Sequence, residues 1–365
     1  MEAGIVGLPF IGKTTLFNAL SARGVDSTSG GAADKPNLAV VHVPDPRLSL
    51  INRYIETKKI VQANLQLVDV AGLMAGASKG EGLGNRFLSH VRGVDALLHV
   101  VRCFEDDAVP HVNGSVDPVR DVDEVETELM FADLEQVEGM TDKAQKQART
   151  GDKEAKLRLE VIEACHATLS EGRPVSALSG GVMDSEEARQ VLKSIALLTA
   201  KPVLYVANIG EENLNADSDH VHRLRACARE RGGMVVPVCA KLDAELVELD
   251  ESERGEMLEG LGLSEPALNV LARATYELLG LQSFFTAGPK EIRAWTVSIG
   301  ATAPEAASVI HSDMQRGFIR AEIYAVNDLE NHRTEQAIRA AGKLRVEGKS
   351  YVMQDGDVTH FLFNV

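Results

Sequence analysis

Short apolar segments alternate with segments of helical periodicity along this chain. Residues 3–6 are apolar and predict a buried strand, and residues 15–20 continue with apolar positions at helical spacing. Further segments of strand type are 61–68, 95–102 and 201–207, and residues 236–241 form the next strand and its loop. The pattern predicts an α/β fold.

The pattern changes between residues 123 and 172, where charged residues surround a sparse apolar stripe. A long helix is predicted to begin at Glu124, and Gly151-Asp152 is typical of a helix stop followed by a new N-cap. Two charged helices joined by a short turn predict an antiparallel helical hairpin. Because strands resume after it, the hairpin is predicted to be an insertion.

The C-terminal segment has a third pattern. Residues 294–299 and 317–324 are predicted strands, and residues 302–311 are a predicted helix with Pro304 in its first turn. A small mixed sheet with one helix fits the β-grasp architecture. With 365 residues, two or three domains are expected.

Composition narrows the class of protein. The net charge of −16 argues against non-specific coating of nucleic acid, although residues 283–365 are near neutral, with 9 Lys and Arg against 10 Asp and Glu. No apolar run approaches the length of a membrane helix, and the N-terminus shows no signal sequence. Four widely spaced cysteines suit buried free thiols in a reducing cytosol, so we expect a cytoplasmic protein.

Residues 7–14 match the phosphate-binding pattern G-x-x-x-x-G-K-[ST], placed between the first strand and the first helix. Glycines let backbone N–H groups surround a phosphate, and the following helix adds its N-terminal partial charge. Lys13 is expected to reach the β and γ oxygens, and the Thr14 hydroxyl to ligate Mg²⁺. The predicted nucleotide contacts from this loop are Gly7, Phe10, Ile11, Gly12, Lys13, Thr14 and Thr15.

A second motif, D-x-x-G, follows the strand at 61–68. Asp69 is the expected second Mg²⁺ residue, and Gly72 is expected to offer its N–H to the γ-phosphate. The next residue, Leu73, has no hydrogen-bonding group where many GTPases use a glutamine to orient water. His111, in a polar connection, is a candidate for that role, and the alternative is a solvent-exposed loop histidine.

The base motif stands at residues 208–211. Guanine-specific relatives use N-K-x-D, whose aspartate accepts two hydrogen bonds from guanine. Here Ile209 replaces the lysine and the longer Glu211 replaces the aspartate, which favours adenine. We expect Asn208, Ile209 and Glu211, with Cys239 and Ala240 from the next loop, to line the base pocket.

Taken together, these motifs resemble the YchF subfamily of Obg-like ATPases, over essentially the whole chain. The most specific segments are 69–73 running into 76–85, then 99–105, 285–288, 293–296 and 361–365. The resemblance implies a P-loop G-domain (1–122 and 200–279), an inserted helical arm (123–199) and a C-terminal TGS domain of β-grasp type (280–363).

The resemblance also implies function. It indicates hydrolysis of ATP in preference to GTP with Mg²⁺, a role in hydrolysis for the histidine matching His111, and base contact by the backbone at Ile209. It implies association with the ribosome (large subunit or 70S) and its RNA, and we expect a monomer. Six basic residues are candidates for an RNA-binding patch, the alternative being a solvated surface: Arg293, Arg316, Arg320, Lys343, Arg345 and Lys349.

Two departures from the family pattern affect turnover. Phe10 stands where the family has an asparagine associated with potassium coordination, which argues against potassium dependence. Ala33 falls where a Mg²⁺-binding threonine is expected, and Ala32 where a redox-sensitive cysteine is expected. We therefore expect slow turnover or an altered switch. A hydrolysis-impaired nucleotide-binding scaffold and a true GTPase remain the alternatives.

Overall fold

The computed structural model describes residues 1–22, 27–28, 37–70 and 83–364. It divides into two compact units, residues 1–39 with 66–271 and residues 40–65 with 272–365. The strands in chain order are β1 Glu2–Val6, β2 Ser27–Thr28, β3 Asn37–Val43, β4 Ile60–Val61, β5 Ala63–Asp69, β6 Ala96–Arg102, β7 Val203–Asn208, β8 Met234–Val238, β9 Leu281–Ala287, β10 Ile292–Ser298, β11 Phe318–Ala325, β12 Arg345–Glu347 and β13 Asp357–Phe363.

The α-helices in chain order are α1 Lys13–Ala22, α2 Pro46–Tyr54, α3 Leu83–Gly93, α4 Pro118–Ala148, α5 Lys153–Ser170, α6 Glu186–Ile195, α7 Asp219–Glu230, α8 Ala240–Glu248, α9 Glu251–Gly260, α10 Ala267–Leu278, α11 Ala303–Ile310, α12 Ser312–Arg316, α13 Val326–His332 and α14 Glu335–Ala340. In the described part of the chain, no helix combines the length and apolarity needed to cross a membrane.

The sheet that carries the phosphate loop has the strand order β2-β3-β5-β1-β6-β7-β8. β1 pairs in parallel with β5 on one side and β6 on the other, and β7 and β8 continue in parallel. β6 is buried along its whole length because helices cover both faces of such a sheet. The predicted first strand and first helix are confirmed as β1 and α1.

The predicted strand 61–68 is wrong in extent, because it is two strands in two different sheets. Ile60 and Val61 form β4, which pairs in parallel with Ile292 and Arg293 of β10, whereas β5 begins at Ala63. Strand propensity is continuous across residue 62, so the sequence pattern does not indicate that the chain passes from one sheet to another.

The helical hairpin is confirmed, with a correction to where it starts. α4 begins at Pro118, six residues before the predicted Glu124, because Asp117 caps it by accepting from the N–H groups of Val119 and Arg120. α5 begins after the predicted cap Asp152. Their facing apolar stripes share a core with α6 that includes Val137, Val161, Ile162, Cys165 and Ile195.

A buried carboxylate fixes the base of this hairpin. Asp133 of α4 is fully buried and accepts from the N–H groups of Leu198 and Thr199 at 2.8 Å each and from the Thr199 hydroxyl at 2.7 Å. Burial raises the pKa of this carboxyl, and the three hydrogen bonds oppose the rise. The return of the chain toward β7 is therefore anchored on α4.

In the second unit, the sheet has the order β12-β11-β13-β9-β10-β4. α11, capped by Thr302 and Glu305 with a proline in its first turn, packs on one face over a core that includes Phe284, Ile323 and Phe361. The predicted helix 302–311 and the two predicted strands are confirmed as α11, β10 and β11.

All four cysteines are buried free thiols, as expected. Burial raises the pKa of Cys103 to about 12 and of Cys165 to about 11, so both remain protonated at neutral pH.

Candidate nucleotide-binding site

The phosphate loop fills the short connection between β1 and α1, and its first glycine is required by the strand beside it. Gly7 has φ +145°, and a Cβ there would lie 2.5 Å from the carbonyl oxygen of Val100 in β6. Any larger residue would push the loop away from the sheet. The loop leaves the sheet at the carboxyl end of β1, which has β5 on one side and β6 on the other. The strand order reverses at this point, and ligands bind at such switch points in open α/β sheets.

The second glycine, Gly12, is required by the base motif. It has φ +95°, and a Cβ there would lie 2.3 Å from Nδ2 of Asn208. That side-chain amide donates to the carbonyl of Ile11 at 2.8 Å, while Oδ1 of Asn208 accepts from the N–H of Ala240 at 3.2 Å. Asn208 is buried and joins three predicted segments: the phosphate loop, the base motif and the loop before α8.

Lys13 is buried at the start of α1. Its Nζ donates to the carbonyl of Leu8. Burial lowers the pKa of Lys13 to about 8, and attraction to Asp69 opposes the change only partly. A buried ammonium group that faces its own loop suits a polyphosphate ligand, because burial makes an ion pair with an anion more favourable.

Asp69 ends β5 beside the phosphate loop, in register with Ile5 of β1. Burial raises the pKa of its carboxyl, and a hydrogen bond from Asn37 and the charge of Lys13 oppose the rise. The hydroxyl-bearing Thr14 and Thr15 are exposed at the start of α1. A carboxylate and a hydroxyl oxygen fit Mg²⁺, which binds through few protein ligands and substrate phosphates. Among the described residues, no group of three or more His, Cys, Asp or Glu side chains could hold a metal ion.

Phe10 is the unusual residue of the phosphate loop. It has φ +61° and its side chain is 64% exposed. The left-handed region is costly for a residue with a branched or bulky side chain, whereas glycine and asparagine adopt it readily. The aromatic ring lies on the outer surface of the loop rather than in a core.

At the base motif, Ile209 is a buried apolar residue, whereas Glu211 forms an ion pair at the surface. Ile209 is 5% exposed and packs into the core behind β7, and its N–H donates to the carbonyl of Val238 at 3.0 Å. Oε1 of Glu211 lies 2.7 Å from Nζ of Lys241. The carboxylate that would accept hydrogen bonds from guanine is therefore already shared with an ammonium group.

The loop before α8 closes this side of the site. Cys239 is its N-cap residue, and burial raises the pKa of the thiol, while N–H groups of the helix oppose the rise. Ala240 follows as the first helical residue and donates to Asn208, as described above. The predicted base-pocket residues are thus brought together.

His111 is not the solvent-exposed loop histidine of the alternative interpretation, because its side chain is only 4% exposed. Nε2 lies 2.9 Å from Oδ2 of Asp121 in the first turn of α4, and Nδ1 accepts from the N–H of Asn113 at 3.1 Å. The loop before it is held by Arg102, whose buried guanidinium donates to the carbonyls of Phe104, Asp106 and Val109.

Arg102 and His99 are structural members of this region for which the sequence pattern indicated no role of their own. His99 is 3% exposed, pairs in register with Val6 at the start of the phosphate loop, and lies 5.7 Å from the ring of Tyr205. Burial lowers its pKa to about 3, and the positive charges of Lys13 and Arg231 act in the same direction. The available signal was a lone histidine in an otherwise apolar strand.

Several predicted residues lie outside the described part of the chain. These are Gly72, Leu73, Ala32 and Ala33. Their assigned roles stay predictions.

The six basic residues of the C-terminal segment do not share one face. Arg345 lies opposite Ile323 on neighbouring strands, on the face that carries the core, whereas Arg320 is three residues from Ile323 and projects from the other face. Arg345 also pairs with Asp357 at 3.1 Å, and Arg316 pairs with Asp313. Arg320 and Arg345 therefore lie on opposite faces of this sheet, and a role of the six residues in RNA binding stays a prediction.

The central strand of this largely parallel sheet runs into a glycine-requiring phosphate loop, and an acidic residue ends the adjacent strand. These features define a P-loop nucleotide-binding protein of the GTPase type. Two family models agree with this class. The model MMR_HSR1, described as 50S ribosome-binding GTPase, matches residues 2–134, and the model YchF-GTPase_C, described as a protein of unknown function (DUF933), matches residues 281–364.

Full-length relatives give the family. The chain is 48% identical over 365 residues to the "Ribosome-binding ATPase YchF" of Haemophilus influenzae, covering 100% of this chain and 99% of that protein. It is 45% identical over 368 residues to the protein of the same name from Bacillus subtilis, covering 100% of both. The Schizosaccharomyces pombe YchF GTPase structure matches with a TM-score of 0.86 at 36% identity, over 99% of this chain and 97% of that one. The chain belongs to the YchF family.

Proposed function

We propose that this protein binds ATP with Mg²⁺, hydrolyses it slowly, and associates with the ribosome according to its nucleotide state. The observation that carries nucleotide binding is the double hydrogen bond of Asn208 to Ile11 and Ala240, at 2.8 and 3.2 Å. It makes the phosphate loop and the base loop one continuous site. The relatives that match at full length carry the name ribosome-binding ATPase, which supports the activity and the partner.

In this proposal, the phosphate loop from Gly7 to Thr15 holds the phosphates, and Lys13 neutralises them. Thr14 and Asp69 would hold Mg²⁺, which would neutralise charge that develops on the phosphate oxygens. Gly72 contributes its N–H to the γ-phosphate.

The choice of ATP over GTP rests on the base motif. Glu211 is engaged by Lys241 at 2.7 Å, and Ile209 is buried where a guanine-specific protein has a lysine. The guanine N1–H and N2 amine would therefore compete with Lys241 for this carboxylate. Adenine does not need a carboxylate acceptor. In this proposal it contacts backbone groups near Ile209, together with Cys239 and Ala240.

In this proposal His111 orients the attacking water, because Leu73 has no hydrogen-bonding group for that role. Its imidazole belongs to a segment fixed beside α4. Ala33, which replaces a Mg²⁺-binding threonine, keeps turnover slow.

Beyond the site, we propose the division predicted from the sequence: a G-domain, a helical arm and a C-terminal TGS domain that contacts ribosomal RNA. The split of the basic residues between two faces means that the RNA contact uses only part of that set. We propose a cytoplasmic monomer that is independent of potassium, because Phe10 replaces the asparagine associated with that ion.

One preparation tests the choice of nucleotide. ATP and GTP are titrated in parallel in the presence of Mg²⁺, and phosphate release is followed beside a Lys13→Ala control. We expect tighter binding of ATP and phosphate release that Lys13→Ala abolishes. Tighter binding of GTP would identify a GTPase instead, and the absence of Lys13-dependent release would identify a nucleotide-binding scaffold.

A second variant tests the slow turnover. Ala33→Thr restores the missing hydroxyl, so we expect faster Mg²⁺-dependent hydrolysis of ATP. An unchanged rate would contradict the explanation. Ribosome association is tested by cosedimentation with 70S particles with and without ATP, and equal binding in both conditions would contradict nucleotide control.

A further inference from the structure

Both ring nitrogens of His111 are engaged, one by its own loop and the other by α4. The N–H of Asn113 can only donate, so Nδ1 of His111 accepts, at 3.1 Å. A neutral imidazole then carries its proton on Nε2, and this nitrogen donates to Oδ2 of Asp121 at 2.9 Å. In this arrangement the imidazole has neither a donor nor an acceptor left for water or a phosphate.

Asp121 is itself firmly placed. It lies in the first turn of α4 with its side chain 4% exposed, and its second oxygen accepts from Nη2 of Arg120 at 2.8 Å. Arg120 also donates to the main-chain carbonyl of Ser115 at 2.6 Å. The segment 111–115 is thus tied to α4 by two neighbouring residues, and a third link joins Nδ2 of Asn113 to Glu124 at 2.7 Å.

The beginning of the same connection is fixed independently. Arg102 donates to the carbonyls of Phe104, Val109 and Asp106 at 2.9–3.2 Å. A segment held at both ends brings its histidine to one defined position, so the His111–Asp121 hydrogen bond decides where the imidazole points.

This arrangement differs from the histidine–aspartate pair of acid–base enzymes. There the aspartate binds one ring nitrogen and leaves the other free to face the reacting group. Here the free nitrogen is capped by Asn113. We infer that Asp121 is a positioning residue that holds His111 in a non-reacting orientation, and that hydrolysis requires this hydrogen bond to open. The inference rests on the proposed function of His111 in hydrolysis.

The variant Asp121→Asn tests the inference, because it keeps the size of the side chain and removes its charge. A hydrogen bond to a carboxylate is about twice as strong as one to a neutral amide, so the held state loses part of its stability. We expect kcat for Mg²⁺-ATP to rise about fivefold while the Kd for ATP stays unchanged. Asp121→Ala removes the acceptor and is expected to raise kcat further.

Two controls separate this role from a structural one. Asp123→Asn removes a carboxylate two residues further along α4, one that pairs with Arg231 and is 56% exposed, and it is expected to leave kcat unchanged. In a His111→Ala background, Asp121→Asn is expected to have no effect on kcat. Thermal unfolding of each variant confirms that the fold is retained.

The outcomes are distinct. A fall in kcat with Asp121→Asn would show that Asp121 assists catalysis and would overturn the inference, as would an unchanged kcat or an equal rise in the His111→Ala background. If His111→Ala alone matches the wild type, the proposed role of His111 fails together with the inference. If His111→Ala lowers kcat and Asp121→Asn does not raise it, only the inference fails.

Discussion

The side-chain amide of Asn208 donates to the main-chain carbonyl of Ile11 at 2.8 Å and so connects the end of β7 to the phosphate loop. The two residues are 197 positions apart in the chain. The predicted phosphate loop and the predicted base motif are therefore one structural unit. Changes at the base motif are expected to alter phosphate binding as well.

Asn208→Ala tests this connection. It leaves the carbonyl of Ile11 and the N–H of Ala240 without their buried partner, so the free energy of unfolding is expected to fall by about 1–3 kcal/mol. Nucleotide affinity is expected to fall with it, for ATP and GTP alike. Urea denaturation and nucleotide titration measure the two effects. Asn18→Ala, an exposed change in α1, serves as the control and is expected to alter neither.

Gly12→Ala is expected to disrupt the same connection from the other side. The added Cβ at position 12 would lie 2.3 Å from Nδ2 of Asn208, and the φ of +95° at Gly12 disfavours any side chain. We expect lost nucleotide binding and a lower melting temperature. Gly139→Ala is the matched control: it lies within α4, nothing lies within 4 Å of its added Cβ, and it is expected to stabilise the fold slightly. Retained nucleotide binding in Gly12→Ala would contradict the close approach.

His99 predicts sensitivity to acid. Burial lowers its pKa from 6.5 to about 3, so between these values the unfolded chain binds a proton that the folded chain does not. The free energy of unfolding therefore falls as pH drops from about 6.5 toward 3, by up to about 1.4 kcal/mol for each pH unit. His99→Gln is expected to flatten this part of the profile.

The profile is measured by urea denaturation between pH 4.5 and 7. His360→Gln, an exposed change in β13, is the control and is expected to keep the slope of the wild type. Equal slopes in His99→Gln and the wild type would contradict a buried neutral histidine at position 99.

Phe10→Asn is expected to stabilise the nucleotide-free protein by about 1 kcal/mol, because asparagine adopts the left-handed conformation at lower cost than phenylalanine. Phe10→Leu keeps both the apolar character and the backbone cost, and it is expected to give no gain. Thermal unfolding distinguishes the two variants. A gain in both would assign the effect to the loss of the exposed ring instead of the backbone.

Lys241→Gln tests the base preference. It frees the carboxylate of Glu211, so the affinity for GTP relative to ATP is expected to rise, by no more than about fivefold for so exposed an ion pair. Lys241→Arg retains the pair and is expected to leave the ratio unchanged. Parallel titrations with both nucleotides decide the matter, and a ratio that is unchanged in Lys241→Gln would exclude this contact as a determinant.

The class of protein follows from short stretches of consecutive residues. The spacing of Gly7, Gly12 and Lys13 between a strand and a helix defines a phosphate loop. This loop depends on local backbone geometry, which is set by residues adjacent in the chain. The same holds for the cap Asp152. These features depend on neighbours in the chain and were predicted where they stand.

Which distant groups come into contact depends on the tertiary structure. The contact of Asn208 with Ile11, the pair of Glu211 with Lys241 and the hydrogen bond between His111 and Asp121 depend on how strands and helices pack. The packing of strands also divides the predicted strand 61–68 between two sheets and places Arg320 and Arg345 on opposite faces. Pairing and side-chain direction are set by hydrogen bonds and burial between segments far apart in sequence, and no local pattern records them.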